Sequence, residues 1–254
     1  MNHLPFSKKE LAGATLACIT GDPFRVPVMA KELDPSANEI SHSREFAVYR
    51  ATLQNQPVIV ASHGIGGPSL AILVEELAMA GIQDFLRVGT SGAIQTFIEK
   101  GDVVISAGSV RLEGVTPFYA PLAYPAISHP NWILTLQNAA DQLNICYHTG
   151  ITASTDSFYP GQQRTDTKTQ YIIPPWDQAI TMWRQLQVLN YEMESSTLFV
   201  LGSVMSLKVG CITSVIVERD QGETFESSSQ EGVSPAWLVA KKALGFWLND
   251  SENK

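Results

Sequence analysis

An α/β fold built on a mixed β-sheet follows from three features of the sequence. Short runs rich in β-branched and aromatic residues recur along the chain, stretches with apolar residues at helical spacing lie between them, and one pair of runs is joined too tightly for a crossover. The runs are ATLACIT (14–20), EFAVYRATL (45–53), PVIVASH (57–63), DFLRVG (84–89), DVVISAGSVRL (102–112), ICYHTGIT (145–152) and VGCITSVIV (209–217). Their near-continuous apolar character predicts strands covered on both faces. The helical stretches are PSLAILVEELAMAG (68–81), NWILTLQNAADQL (131–143), SSTLFVLGSVMSL (195–207) and SPAWLVAKKALGFWL (234–248). EFAVYRATLQNQPVIV reads as two strands turning at Gln54-Asn55-Gln56, an antiparallel hairpin in a sheet otherwise connected by crossovers.

With 254 residues, 44% hydrophobic and 17% charged, the chain can bury one large core, and a single domain over residues 1–254 is expected. The net charge of −8 and pI near 5.1 argue against a nucleic-acid-binding surface while leaving room for a local cationic pocket, so the substrate is expected to be small. Cys18, Cys146 and Cys211 are odd in number, far apart, lie among apolar residues and have no CxxC or histidine partners, so neither a disulfide framework nor a zinc site is indicated and they read as buried, reduced core thiols. Lys8-Lys9 before LAGATLACIT superficially resembles a secretory signal, but Glu10 interrupts it and GDPFR stands where cleavage would occur. Lys208 and Gly210 break the best candidate for a membrane span. The expectation is a soluble, cytoplasmic protein without a membrane partner. The one long polar stretch, RDQGETFESSSQEG (219–232), has the length and polarity of a lid.

Three glycine-containing junctions stand at strand ends, the edge at which open α/β sheets bind ligands. In GDPFR (21–25) glycine lets backbone N–H groups approach an anion and Arg25 supplies charge, although the same residues also make an ordinary strand-to-helix turn. GIGGPS (64–69) lacks the GxGxxG spacing of a dinucleotide site and places Pro68 at a first helical position. RVGTSGAI (87–94) puts Arg87 on a strand with Thr90 and Ser91 in the turn after it. Two arginines with hydroxyl and backbone donors suit free phosphate. SFYPGQQR (157–164) offers Phe158 for stacking and Gln162 with Arg164 for a planar polar edge such as uracil's, or simply a turn around Pro160-Gly161. NYEMESS (190–196) sets two glutamates before an apolar run. Either they and Ser195 or Ser196 start a helix, or a carboxylate there accepts the paired hydroxyls of a ribose.

Taken in order, GDPxR, SREF, GIGGPS, LRVGTSGAIQ, DSFYPGQQR and NYEMES resemble the uridine phosphorylase family of the nucleoside phosphorylase superfamily over nearly the whole chain. The resemblance implies a three-layer α/β fold, a twisted mixed sheet flanked by helices. It also implies phosphate-dependent cleavage of uridine to uracil and ribose 1-phosphate, with no organic cofactor. It places Gly21, Arg25, Arg87 and Thr90 at phosphate, with Arg44 reaching in from a neighbouring subunit. Met193 and Glu194 fall at the ribose with a neighbour's His3, and Phe158, Gln162, Arg164 and Arg219 at the base. Of these, Arg87, Arg164, Arg219 and Glu194 are the implied catalytic residues. Glu45, Ile65 and Ser69 match a monovalent-cation site, K+ at a dimer interface, in a hexamer made of three dimers. Arg219 before Asp220, where purine-cleaving relatives place an acid, implies a pyrimidine base.

Some positions depart from the family's pattern: an extra Ser43 between His42 and Arg44, Glu218 in place of asparagine, His63 in place of a small hydroxyl residue, and the divergent residues 166–189. His42, His63, His129 and His148 lie in no matched motif and read as structural or surface histidines. The competing readings are a purine phosphorylase or hydrolytic nucleosidase on the same scaffold, and a catalytically silent nucleoside-binding protein.

Overall fold

A computed structural model describes residues 2 to 219 and 234 to 252. The strands are β1 Leu16–Thr20, β2 Asn38–Ser43, β3 Phe46–Leu53, β4 Gln56–Ser62, β5 Asp84–Ala93, β6 Val103–Leu112, β7 Ala126–Ile127, β8 Tyr147–Thr155, β9 Val188–Glu192 and β10 Lys208–Glu218. The helices are α1 Val26–Leu33, α2 Gly67–Ala80, α3 Pro130–Leu143, α4 Ala179–Gln185, α5 Ser195–Val204 and α6 Pro235–Glu252. Strand β1 alternates its side chains between two apolar layers. Leu16 and Cys18 meet residues of α1, α3 and α6, whereas Ala17 and Ile19 meet residues of α2 and α5. This is the expected three-layer α/β arrangement. Trp132 of α3 stacks on Trp247 of α6 with ring centroids 3.8 Å apart, and fully burying one large side chain is worth about 2–3 kcal/mol.

The sheet is mixed, and its connectivity goes beyond the expectation. Strand β5 pairs with β1 over its first half, with β10 along its length, and with β9 at its end. Because β10 pairs with β6, β6 with β8, and β8 with β9, five strands close into a ring from which β1, β4, β3 and β2 extend as an open wing. A line of buried polar side chains crosses the ring. Ser106 Oγ lies 2.7 Å from Thr152 Oγ1, which donates to Asn190 Oδ1 at 2.8 Å. Asn190 Nδ2 donates to Thr213 Oγ1 at 3.2 Å, and Thr213 donates to Ser91 Oγ at 2.9 Å. Each of the five strands contributes one member, so every buried polar group in the line has a partner and the closure is specific.

Several expectations are corrected. The hairpin turn has two residues, Gln54 and Asn55, both at positive φ, while Gln56 already pairs with Leu53. Thr90 and Ser91 lie on β5 rather than in a turn, because β10 continues to pair with β5 as far as Ala93. Pro68 occupies the second position of α2, after Gly67. Cys18 and Cys211 are buried as expected, but Cys146 is exposed, since it stands just before β8 at its open end. Strand β2 carries a bulge between Glu39 and Ser41, beyond which Ser43 pairs with Phe46. Of the suggested lid, only Arg219 falls within the described residues. No helix among the described residues is long and apolar enough to cross a membrane.

Candidate active site

The C-terminal ends of β1, β4, β5, β9 and β10 converge on a cavity of about 660 Å3. At one side, Gly21 follows β1 and a short helical turn, Pro23–Arg25, presents Arg25. Asp22 caps that turn by accepting from the Phe24 N–H at 2.9 Å, and Arg25 lies 4.0 Å from Asp22. Arg87, on β5, is buried with its guanidinium folded over Gly89. A Cβ at position 89 would come within 2.5 Å of Arg87 Nη1, so the glycine of RVGT is what makes room for the charge. Thr90 follows on the same strand and also lines the cavity.

Arg87 donates to Glu194 and lies 3.3 Å from Glu192. Burial works against its charge, but the two carboxylates more than offset this, and its pKa is raised. The two glutamates of NYEMESS divide their tasks. Glu192 closes β9 and accepts from the N–H groups of Glu194 and Ser195 and from the Ser195 hydroxyl, so this carboxylate, rather than a serine, caps the free amides at the start of α5. Glu194 accepts from the Gly66 N–H at 2.6 Å and from Arg87, and it faces the cavity beside Met193. Burial raises the Glu194 pKa, Arg87 opposes that rise, and Glu192 adds to it. Its oxygens can exchange those donors for ligand hydroxyls.

Across the cavity, a helical turn at Pro160–Gln162 folds the SFYPGQQR segment so that Phe158, Gln162 and Arg164 line one wall. Arg164 stacks on the Phe158 ring at 4.0 Å and donates to Gln162 Oε1 at 3.4 Å. Arg219 does not line the cavity itself, but it donates to the backbone carbonyl of Gln162 from behind. Its pKa is lowered by burial, which Tyr191 opposes. The divergent residues 166–189 are tied to this wall, because Gln163 Oε1 accepts from the N–H of Ile180 in α4 at 2.7 Å. Glu218 is engaged elsewhere and accepts from the Lys100 N–H at 2.9 Å.

Glu45, Ile65 and Ser69 meet at the mouth, with Ser69 Oγ 3.2 Å from Glu45 Oε1. Gly64 at positive φ makes this possible, since a Cβ there would lie 2.8 Å from Glu45 Cγ. Besides Arg219, two further expected residues are absent from the lining. Arg44 is exposed in the β2–β3 turn, and His3 pairs with Glu76 at 3.0 Å beside a second groove of about 760 Å3. That groove carries Glu75, Glu76 and Asp156 and no arginine, so its charge is wrong for an anion. Among residues outside the expected set, His63 is fully buried behind Gly21, and neither ring nitrogen has a hydrogen-bond partner among the described residues. Its pKa is held well below 6.5 by burial and by Arg87. Asn190, Glu192 and the Gly66 N–H also escaped the sequence reading. Asn190 and Glu192 stood in a quoted motif, but only pairing across strands distinguishes their roles.

Residues 15–242 match the model of the phosphorylase superfamily. The chain is 46% identical to a uridine phosphorylase of Escherichia coli over 247 residues, covering 95% of this chain and 97% of that one. It is 42% identical to a uridine phosphorylase of Haemophilus influenzae over 95% of this chain and 98% of that one. Against a uridine phosphorylase of Thermococcus kodakarensis the identity is 40%, over 95% of this chain and 85% of that one.

Proposed function

The chain belongs to the phosphorylase superfamily, and on that premise we propose that it is a uridine phosphorylase, a pentosyltransferase that splits uridine with phosphate into uracil and ribose 1-phosphate. The observation that carries this reading is the single cavity in which an arginine-rich anion side, a hydroxyl-accepting carboxylate and a planar amide-guanidinium wall face one another. Phosphate lies against Gly21, Arg25, Arg87 and Thr90. On arrival it competes with Glu194 for Arg87, which frees Glu194 to accept the ribose hydroxyls beside Met193. Uracil stacks on Phe158 and presents its carbonyl and N–H edge to Gln162 and Arg164. The glycosidic bond then opens toward an oxocarbenium-like ribose that phosphate captures. Arg164 stabilises the charge developing on the departing base, and Arg219 supports it by holding the Gln162 backbone. No covalent enzyme intermediate is needed, because positioning and buried electrostatics supply the catalysis.

The test follows uridine absorbance with and without phosphate. Cleavage should require phosphate and yield ribose 1-phosphate, with inosine and adenosine as poor substrates. Equal rates in phosphate-free buffer would indicate a hydrolase, and a preference for inosine would overturn the base assignment.

We further propose that each site is shared between subunits of a hexamer built from three dimers, with one phosphorylase domain per chain. Arg44 and His3, the two residues assigned to a neighbour, are outside the lining of the chain's own cavity, and this supports the reading. Glu45, Ser69 and the Ile65 carbonyl offer a small set of oxygen donors at the mouth. Two such sets meeting across a dimer axis fit K+, which would hold the interface. Sharing predicts complementation. Mixing Arg44→Ala with Arg87→Ala under subunit exchange should give mixed dimers in which one site carries both lesions and the other carries neither. Up to half of the native sites per mixed dimer then recover. Activity that stays at the level of the separate variants despite proven exchange would place Arg44 within its own site or outside catalysis. We place the protein in the cytoplasm, a reading supported by its three free thiols.

A further inference from the structure

Strands β6 and β8 run parallel, with Val103 opposite Tyr147 and Val104 opposite His148. This register places the residue just before β6, Asp102, beside Cys146 and His148 at the start of β8. His148 Nε2 lies 2.8 Å from Asp102 Oδ2, and the donor atoms of Asp102, Cys146 and His148 all fall within 4.8 Å of one another. None of the three lines the catalytic cavity.

We propose that Asp102, Cys146 and His148 form a binding site for a borderline-soft divalent metal ion of the zinc class. The donor set carries the choice. A thiolate, an imidazole and a carboxylate together suit zinc or a similar transition metal and disfavour magnesium or calcium, which take oxygen ligands. The spacing also suits it, because zinc bonded to sulfur, nitrogen and oxygen at its usual lengths holds its ligand atoms about 3.3 to 3.7 Å apart, a small side-chain adjustment from what is seen. The backbone is already set, since the Val103 N–H donates to the Cys146 carbonyl at 3.1 Å. Asp102 Oδ2 also accepts from the Glu99 N–H at 3.1 Å, an outer contact that orients the carboxylate. Phe97 packs on the His148 ring at 5.7 Å and shields it. Cys146 is exposed, so an ion has an entry path and water can complete a four-coordinate shell. On binding, the Cys146 thiol releases its proton to solvent. The His148 Nε2 proton, which Asp102 accepts in the metal-free protein, passes through solvent to Nδ1, and the Asp102–His148 hydrogen bond is replaced by two bonds to the metal.

The test titrates the purified full-length protein with Co2+, which gives an intense near-ultraviolet charge-transfer band only when a thiolate binds it and strong visible bands when four-coordinate. One equivalent per chain should develop both, and Zn2+ should displace it. Cys146→Ser should abolish the charge-transfer band, and Asp102→Asn and His148→Gln should each weaken binding at least ~10-fold. Zn2+ should raise the melting temperature of the wild type but not of Cys146→Ser. Because Cys146 is at the surface, this variant should keep its fold and its uridine cleavage, so the result does not depend on the proposed activity. No charge-transfer band, or a band that persists in Cys146→Ser, would overturn the proposal.

Discussion

The two sides of the cavity are built differently. The side proposed for phosphate stands on the ends of buried strands, with Arg87 held by Glu192 and Glu194 over a glycine that makes room for it. The side proposed for the base stands on a turn, Pro160–Gln162, and on Arg219 where β10 gives out, and its contacts run to backbone carbonyls and to α4. The difference shows which function each part of a fold can carry. Phosphate has one shape and one charge, so a rigid site on central strands suits it, and it costs little to organise before the ligand arrives. A base is chosen by the pattern of its edge, and a loop held by a few tethers can change that pattern without disturbing the sheet.

The hardest way to break this comparison is Arg87→Ala. It should lower kcat/KM roughly 10- to 100-fold or more, the equivalent of about 1.5 to 3 kcal/mol, and phosphate should no longer saturate normally. It should also destabilise the fold by up to about 3–5 kcal/mol, because Glu192 and Glu194 are left as buried charges without their partner. Wild-type phosphate kinetics in this variant would move the anion site elsewhere. A sharper division comes from the two glutamates. Glu194→Ala should reduce uridine turnover about 10-fold more than turnover of 2′-deoxyuridine, since only uridine can use both acceptor oxygens. Glu192→Gln should instead cost about 1 kcal/mol of stability through the weakened helix cap, with the preference between the two nucleosides unchanged. Equal losses on both substrates with Glu194→Ala would make it structural like its neighbour.

The smallest effect concerns His63 behind Gly21. Its folded pKa is depressed, so the unfolded chain takes up a proton near pH 6.5 that the folded chain refuses. Its contribution to stability is therefore intact above that pH and declines as pH falls below it, by at most about 1.4 kcal/mol per pH unit. Urea midpoints measured at pH 7.5 and 5.5 should differ less in His63→Gln than in the wild type. An unchanged difference would mean that the imidazole titrates normally.

Much of this protein was legible in its sequence because the relevant information is local. Apolar runs and helical spacing reported the elements, and glycines beside arginines pointed to residues that line one cavity, since both depend on what a few consecutive residues can do. The short strands β2, β7 and β9 and the helices α1 and α4 were not legible, because packing and pairing with neighbouring elements, rather than their own composition, hold them in place. The same holds for the ring. Ser91, Ser106, Thr152, Asn190 and Thr213 are unremarkable in sequence and become a hydrogen-bonded line only when five strands bring them together. Glu192 and Glu194 show the boundary most plainly. The sequence alone determined that two carboxylates stand just before an apolar run. That Glu192 caps the helix while Glu194 is left to accept from Arg87 and Gly66 was decided by tertiary structure, because those two donors lie more than a hundred residues away from Glu194.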